Sequence, residues 1–198
     1  MTHVETNDAL VKYNWLWFAQ GYIKSAIILL DEILRSNAPR FKTEELWLPS
    51  SNINYIGIPI FYIIRHSFEL VMKTTDTFKD KKITFTHDKE LLLKGLIDIY
   101  GIEDKTVTRF VEIVEKYYSK EFYSDNFDVV LPEEDSFNEH FRFPYEKPKN
   151  GNKNHVDPSV FSRIHMDLAY EIKMDMEEVS KILLKFYSKY REPLYSKQ

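Results

Sequence analysis

The run Ile58-Pro-Ile-Phe-Tyr-Ile-Ile-Arg-His-Ser-Phe-Glu-Leu-Val-Met-Lys73 decides the fold, because it is the most apolar stretch of the chain yet contains four ionisable residues. Residues three or four positions apart are neighbours on a helix, so Glu69 shares one polar strip with Arg65, His66 and Lys73. The rest of the circumference is apolar, which predicts a central core helix. Its expected core residues are Ile60, Phe61, Ile64, Phe68 and Val71.

Composition bounds the class of protein. A chain of 198 residues with 43% hydrophobic residues and only five glycines is typical of one packed domain spanning residues 1–198. The absence of cysteine excludes disulfides, thiolate metal sites and a cysteine nucleophile. A net charge of −4 argues against a general DNA-coating protein. Because the start is polar and no apolar run approaches the ~20 residues of a membrane span, we expect a cytoplasmic protein without membrane contact.

Helical periodicity continues on both sides of the central run. Apolar residues at steps of three and four predict helices over about 8–36, from 55 to an end between 74 and 80, and over 89–100, 105–120 and 158–190. The expected N-caps are Asn7 or Asp8, Thr86 or Asp88, Asp104, and Asp157 followed by Pro158. Pro59 is expected in the first turn of the second helix, and Gly101 is expected to end the third helix in the left-handed conformation.

The segment from Glu121 to Asp157 breaks this pattern, since it has no sustained helical period and contains three prolines. It is predicted to be a long irregular insertion, in which Phe127–Leu131 and His140–Phe143 could pair as a hairpin. The sequence therefore predicts an all-α antiparallel bundle of about five helices, with one long insertion before the last.

Common catalytic signatures are missing: the chain has no glycine-rich phosphate loop, no nucleophile elbow and no His-Glu-x-x-His pair. His165 on the last helix has no second ligand at metal spacing. The Glu-x-x-His geometry of carboxylate-bridged metal bundles does not occur on two helices. We therefore expect no metal and no cofactor.

The polar strip of the central helix carries the chemistry that remains. Arginine presents a planar cationic fork suited to phosphate, lysine adds a point charge, and histidine exchanges a proton near neutral pH. The predicted RNA- or nucleotide-binding residues are Arg65, His66, Lys73, His87 and Arg142, and the candidate catalytic residues are His66, Glu69 and His87. The alternative is structural: Arg65 and Glu69 would form a buried pair, with His87 bonded across to it.

Three motifs together resemble a branch of the HEPN superfamily of bacterial helical domains. They are Arg65-His66-Ser67-Phe68-Glu69-Leu70-Val71-Met72-Lys73, then Thr86-His87-Asp88, then Phe141-Arg142-Phe143-Pro144-Tyr145. The resemblance covers about residues 55–145. It implies a helical bundle, frequent homodimerisation and roles in toxin–antitoxin, phage-defence or RNA-processing systems, often as a metal-independent ribonuclease.

One departure from that family is serious. The ribonuclease members carry an arginine and a histidine separated by four to six residues on a late helix, and no arginine of this chain has a histidine at that spacing. Arg163 and His165 are only two positions apart. The family's catalytic pair therefore cannot be transferred to this chain, and whether it is an enzyme stays open.

Two hypotheses follow. The first is a HEPN-like protein that binds RNA or a nucleotide, for which the resemblance implies a homodimer, and that would be a metal-independent ribonuclease if it is an enzyme. The second is a non-catalytic interaction protein of antitoxin or immunity type, in which the insertion contacts a partner protein. A small-molecule hydrolase or transferase that uses Glu69 and a histidine has no supporting motif.

Overall fold

The computed structural model describes residues 3–36, 51–80, 86–127, 164 and 166–195, with side chains over 14–35, 59–74, 86–127, 164 and 166–188. Within these ranges the chain forms six helices and no strand, so the all-α prediction is confirmed. The helices are α1 (His3–Ser36), α2 (Ser51–Asp80), α3 (Lys89–Tyr100), α4 (Lys105–Tyr118), α5 (Lys120–Phe127) and α6 (Met166–Tyr195).

Helix α2 is the centre of the fold, since it packs against α1, α3 and α4. The core residues predicted for it are all fully buried: Ile60, Phe61, Ile64, Phe68 and Val71. Helix α1 also packs against α6, where Gln20 Nε2 donates to Ser180 Oγ at 2.7 Å and Lys173 Nζ lies 2.6 Å from Asp31 Oδ1. Because the contact positions rise along α1 and fall along α6, these two helices are antiparallel.

The caps of the two middle helices agree with the sequence. Asp88 accepts hydrogen bonds from the backbone amides of Glu90 and Leu91, and Asp104 accepts from those of Thr106 and Val107. Each carboxylate therefore satisfies amides that have no partner within the first helical turn. Gly101 ends α3 with φ 80° and ψ 144°. Its positive φ is as expected, but its ψ lies outside the predicted left-handed helical region.

Three predicted helix starts were wrong. The last helix, predicted to start at residue 158, begins at Met166, after the non-helical Ile164. Helix α1 begins at His3, before the expected caps, and α2 begins at Ser51, so that Pro59 lies inside the helix instead of in its first turn. An internal proline removes one backbone donor and normally costs about 3 kcal/mol or more. Pro59 is exposed, whereas Ile60 and Phe61, which follow it, are buried. Packing of that buried face therefore outweighs the local preference to begin the helix at the proline.

The predicted insertion also begins too early, because residues Lys120–Phe127 form α5. Its aromatic residues are buried against Phe61 of α2, with ring centroids 6.1 Å away for Phe122 and 5.4 Å away for both Tyr123 and Phe127. This aromatic packing explains a helix that the apolar periodicity did not predict. Phe127, predicted to begin a hairpin strand, is instead the last residue of α5. The rest of the insertion, including the remaining hairpin residues, and the cap at Asp157 and Pro158 lie outside the described residues.

Ser119 is the single residue between α4 and α5, and it serves both helices. Its amide donates to the carbonyl of Lys116 at 3.3 Å, which closes α4. Its hydroxyl accepts from the amide of Phe122 at 3.1 Å, as an N-cap side chain does at the start of a helix. One residue therefore sets the angle between the two helices.

None of the described helices is both long enough and apolar enough to cross a membrane.

Candidate functional site

Three predicted site residues meet where α2 passes the start of α3, in what we call the Glu69 cluster: Glu69, Lys73 and His87. Glu69 and Lys73 are one turn apart on α2, and Lys73 Nζ lies 2.6 Å from Glu69 Oε1. His87 immediately precedes Asp88, the N-cap of α3, and its Nδ1 lies 2.7 Å from the same carboxylate oxygen. The cap of α3 thus places the imidazole beside the central helix.

The Glu69 cluster extends from the core to the surface. Only 3% of the Glu69 side chain and 10% of the Lys73 side chain are exposed, against 40% for His87. The second carboxylate oxygen, Glu69 Oε2, is buried and has no hydrogen-bond partner in the described part of the chain. A buried carboxylate with an unsatisfied oxygen is unusual in a purely structural pair.

The geometry also orients the imidazole. An ionised carboxylate can only accept hydrogen bonds. The 2.7 Å contact therefore assigns a hydrogen to His87 Nδ1, which donates it to Glu69 Oε1. The Lys73 ammonium is farther from this nitrogen, at 3.4 Å. In the neutral ring Nε2 is then the acceptor. A buried carboxylate that orients a partly exposed histidine is an arrangement that supports proton exchange or binding of a polar ligand.

Arg65 lies one turn before Glu69 on α2 and is fully buried, and it contacts α4 and α5. Its Nε donates to the carbonyl oxygen of Tyr117 at 2.9 Å, in the last turn of α4. Its guanidinium carbon lies 4.4 Å from the ring centroid of Tyr118 and 5.3 Å from that of Tyr123. A cation at the C-terminal end of a helix and over aromatic faces is stabilised in place. These contacts give Arg65 a structural role, but not the predicted pair with Glu69, whose carboxylate contacts Lys73 and His87 instead.

His66 belongs to a different environment, an aromatic group between α1 and α2. Its ring is half-buried, with Tyr62 parallel to it at 5.6 Å and Tyr22 edge-on at 5.0 Å between centroids. His66 lies three residues before Glu69 on α2, but its ring packs against Tyr62 and Tyr22. The structure therefore brings together Glu69, Lys73 and His87, whereas Arg65 and His66 contact other groups. Arg142 lies outside the described residues.

A second polar cluster, which was not predicted from the sequence, is centred on Asp175 of α6. Asp175 is buried, and its Oδ2 accepts from the Tyr117 hydroxyl at 3.0 Å and from Lys116 Nζ. Arg109 Nη2 lies 3.7 Å from Asp175 Oδ1 and donates to Glu178 Oε2 at 2.9 Å. These contacts join α4 to α6, and their partners are far apart in sequence, so the pairing left no local pattern.

One signal for Asp175 was available. It lies between Ile172 and Val179, at the steps of three and four that define the apolar face of α6, and a carboxylate on a core face requires a partner.

Burial and charge in this second cluster shift three ionisation equilibria. Burial and then the Asp175 carboxylate raise the pKa of the Tyr117 phenol well above its usual value. Burial alone would lower the pKa of Lys116, but its hydrogen bonds to Asp175 and Glu171 raise it overall. Hydrogen bonds from Arg109 lower the pKa of Glu178. Each shift favours the protonation state in which the side chain makes its hydrogen bonds. This cluster therefore stabilises the packing of α4 against α6.

Comparisons with protein-family models, curated proteins and solved structures return no match. The resemblance to the HEPN superfamily therefore stays a prediction. In the described ranges, no three histidine or acidic side chains gather closely enough to form a metal site.

Proposed function

We propose that the protein binds RNA or a nucleotide at the surface where His87 emerges from the Glu69 cluster. The observation that carries the proposal is the 2.7 Å contact between a buried carboxylate oxygen and the Nδ1 of a histidine that is 40% exposed. Such a contact fixes the ring and points its opposite nitrogen away from the carboxylate. The HEPN resemblance supports RNA as the ligand, and a role in bacterial defence or toxin–antitoxin function in the cytoplasm.

The chemistry of the cluster fits a phosphate or ribose group. The imidazole can donate to a phosphate oxygen when protonated, or accept from a ribose hydroxyl when neutral. Lys73 lies beside the ring and adds a positive charge, which the Glu69 carboxylate balances. A ligand phosphate that approached His87 would therefore meet the exposed edge of the imidazole, which donates to it in the protonated form, beside an ion pair whose two charges offset each other.

Binding of a short single-stranded RNA and of ATP to the full chain tests the proposal. We expect His87→Ala to weaken binding on the order of tenfold, which corresponds to about 1.4 kcal/mol. Lys94→Ala, at an exposed position of α3, is the matched control and should bind as the wild type does. If the folded wild type binds neither probe, or if His87→Ala binds as tightly as the control, the proposal is wrong.

The enzymatic form of this proposal is a metal-independent ribonuclease. His87 would then accept a proton from the ribose 2′-hydroxyl, with Glu69 orienting its ring. Incubation of the RNA with the protein in EDTA gives a separate readout from binding. We expect any cleavage to be lost in His87→Gln and kept in Lys94→Ala; cleavage that persists in His87→Gln would exclude this role.

A second candidate is the non-catalytic interaction protein, which the burial of Arg65, Glu69 and Lys73 favours. In that case the polar strip holds the core, and a partner protein binds elsewhere. Deletion of residues 147–153 should then abolish capture of the partner, while the circular dichroism spectrum stays unchanged. Capture that survives this deletion, or that fails in His87→Ala, would contradict this version.

A further inference from the structure

We propose that Nε2 of His87 is a nucleophile that takes a phosphoryl group from an acyl phosphate, so that the protein becomes phosphorylated on this histidine. This activity is separate from the binding of RNA or a nucleotide and does not rest on it. Its basis is the order of contacts in the Glu69 cluster, where Lys73 holds the carboxylate and the carboxylate holds the imidazole ring. A nucleophile oriented by a second side chain, which a third one holds in place, is typical of covalent catalysis.

The contact with Glu69 determines which ring nitrogen can react. His87 Nδ1 donates its hydrogen to Glu69 Oε1 at 2.7 Å, so this nitrogen has no lone pair for a bond to phosphorus. In the neutral ring, the lone pair that can attack is on Nε2. The His87 side chain is 40% exposed, which lets a small phosphate donor reach it from solvent. The geometry therefore predicts phosphorylation at Nε2 and not at Nδ1.

The buried carboxylate also suits the charge that this reaction creates. When Nε2 bonds to phosphorus, the imidazole ring becomes positively charged while Nδ1 keeps its hydrogen. Glu69 faces that hydrogen from a buried position, where the attraction between opposite charges is stronger than in water. Its second oxygen, Oε2, accepts no hydrogen bond from the described residues, so the carboxylate has capacity for more positive charge than Lys73 supplies. Glu69 therefore stabilises the phosphorylated ring more than the unmodified ring.

The phosphoryl transfer needs no reactant other than the acyl phosphate. The Nε2 lone pair forms the N–P bond, the P–O bond of the acyl phosphate breaks, and its electron pair leaves on the released carboxylate. No proton is transferred, because the hydrogen on Nδ1 stays in its hydrogen bond to Glu69. The total charge is unchanged, since the positive charge on the ring balances the negative charge of the released carboxylate.

Incubation of the full chain with acetyl phosphate, in the absence of RNA and nucleotide, tests the proposal. We expect tandem mass spectrometry to find a phosphoryl group on His87 that is stable in alkali and lost in acid, as an N–P bond is. His66, whose ring packs against Tyr62 and Tyr22, is the internal control. His87 should react on the order of tenfold faster than His66, and His66→Gln should leave the labelling of His87 unchanged. A folded wild type without label on His87, or one labelled there no faster than on His66, would overturn the proposal. Because the assay contains no RNA, its failure would not affect the proposal that the protein binds RNA.

The position of the phosphoryl group on the ring tests the role of Glu69, since phosphorus NMR distinguishes the Nε2 and Nδ1 isomers of phosphohistidine. We expect only the Nε2 isomer in the wild type. In the double variant Glu69→Leu with Lys73→Met the ring is no longer held, so both isomers should form and labelling should slow on the order of tenfold. Apolar side chains of similar volume often replace a buried ion pair without loss of stability, so this variant should fold, which circular dichroism checks. Phosphate on Nδ1 of the wild type, or an unchanged rate and isomer in the folded double variant, would refute the orientation of His87 by Glu69 and with it the proposal.

Discussion

Arg65 Nε donates to the carbonyl oxygen of Tyr117 at 2.9 Å, and it does so from a side chain with no exposed surface. The contact joins the middle of α2 to the last turn of α4. The Tyr123 hydroxyl donates to the same carbonyl at 2.9 Å, which also ties α5 to this point. A residue that the sequence suggested as a ligand for phosphate is therefore the meeting point of three helices.

The first prediction concerns the stability that Arg65 provides. Replacing it by alanine removes the hydrogen bond and the contacts with two aromatic rings, and leaves a cavity in the core. We expect Arg65→Ala to lower the free energy of unfolding by about 3 kcal/mol or more. Urea denaturation measures this loss. Arg35→Ala is the control, because the Arg35 side chain is 76% exposed, and its effect should stay within about 0.5 kcal/mol. Similar losses for the two variants would contradict the structural role.

The second prediction concerns the buried pair of Glu69 and Lys73. Removing one charge leaves the other buried without its partner, so Glu69→Gln and Lys73→Met should each cost about 3 kcal/mol. The double variant leaves no unpaired charge. Its loss should therefore be smaller than the sum of the single losses by at least about 1 kcal/mol. Unfolding free energies of the four proteins complete the cycle, and additive losses would show that the two charges do not depend on each other.

The third prediction concerns alkaline pH. Burial and the Asp175 carboxylate raise the pKa of Tyr117 above its usual value near 10. The folded state therefore keeps the phenol protonated at a pH where the unfolded chain releases that proton. The stabilising effect is present in full below about pH 10 and is lost as the pH rises toward the folded-state pKa. Tyr117→Phe should show a shallower decline in unfolding free energy between pH 9 and about 11 than the wild type does.

Tyr170→Phe is the control for this experiment, because Tyr170 is 58% exposed. The unfolding free energy of this variant should decline above pH 10 with the same slope as that of the wild type. Equal slopes for Tyr117→Phe and the wild type would mean that Tyr117 does not contribute to alkaline unfolding.

The fourth prediction concerns the stability of the fold at acidic pH. Hydrogen bonds from Arg109 lower the pKa of Glu178 below its usual value of 4.5. This contribution is present above that value and is lost as the pH falls below it, because the unfolded chain takes up the proton first. The Glu178 side chain is 41% exposed, so solvent limits the effect to about 1 kcal/mol or less.

We therefore expect Glu178→Gln to lose less stability than the wild type between about pH 5 and pH 3. Thermal unfolding across this range measures the difference. Glu121→Gln, at an exposed position of α5, should follow the wild type. A Glu178→Gln variant that follows the wild-type curve would refute the linkage.

The sequence predicted the all-α fold because apolar spacing reports directly on which face of a helix is buried. The caps at Asp88 and Asp104 were predicted correctly for a similar reason, since a cap bonds to amides two and three residues ahead. Helix starts were less predictable, because tertiary packing carries α2 through Pro59. Helix α5 was missed since its three aromatic residues find their partner, Phe61, on another helix.

The candidate site was predictable only in part. The polar strip on α2 was evident, and the pairing of Glu69 with Lys73 follows from helical spacing alone. The contact of His87 with Glu69 was predicted only as part of the structural alternative. It depends on the position of His87 relative to α2, which sequence spacing does not give. Arg65 could not be separated from the strip by sequence, since helical spacing does not show which neighbour a long side chain will choose.

The corner at Ser119 makes α5 a helix whose direction is set by a single residue. Each residue added to a helix turns it by about 100°. A deletion or insertion of one residue at this corner would therefore rotate Tyr123 away from Arg65 and Phe127 away from Phe61, although neither side chain had changed. The length of this junction, and not only the chemistry of Ser119, is consequently under constraint: the chain can vary in composition here far more easily than in residue count.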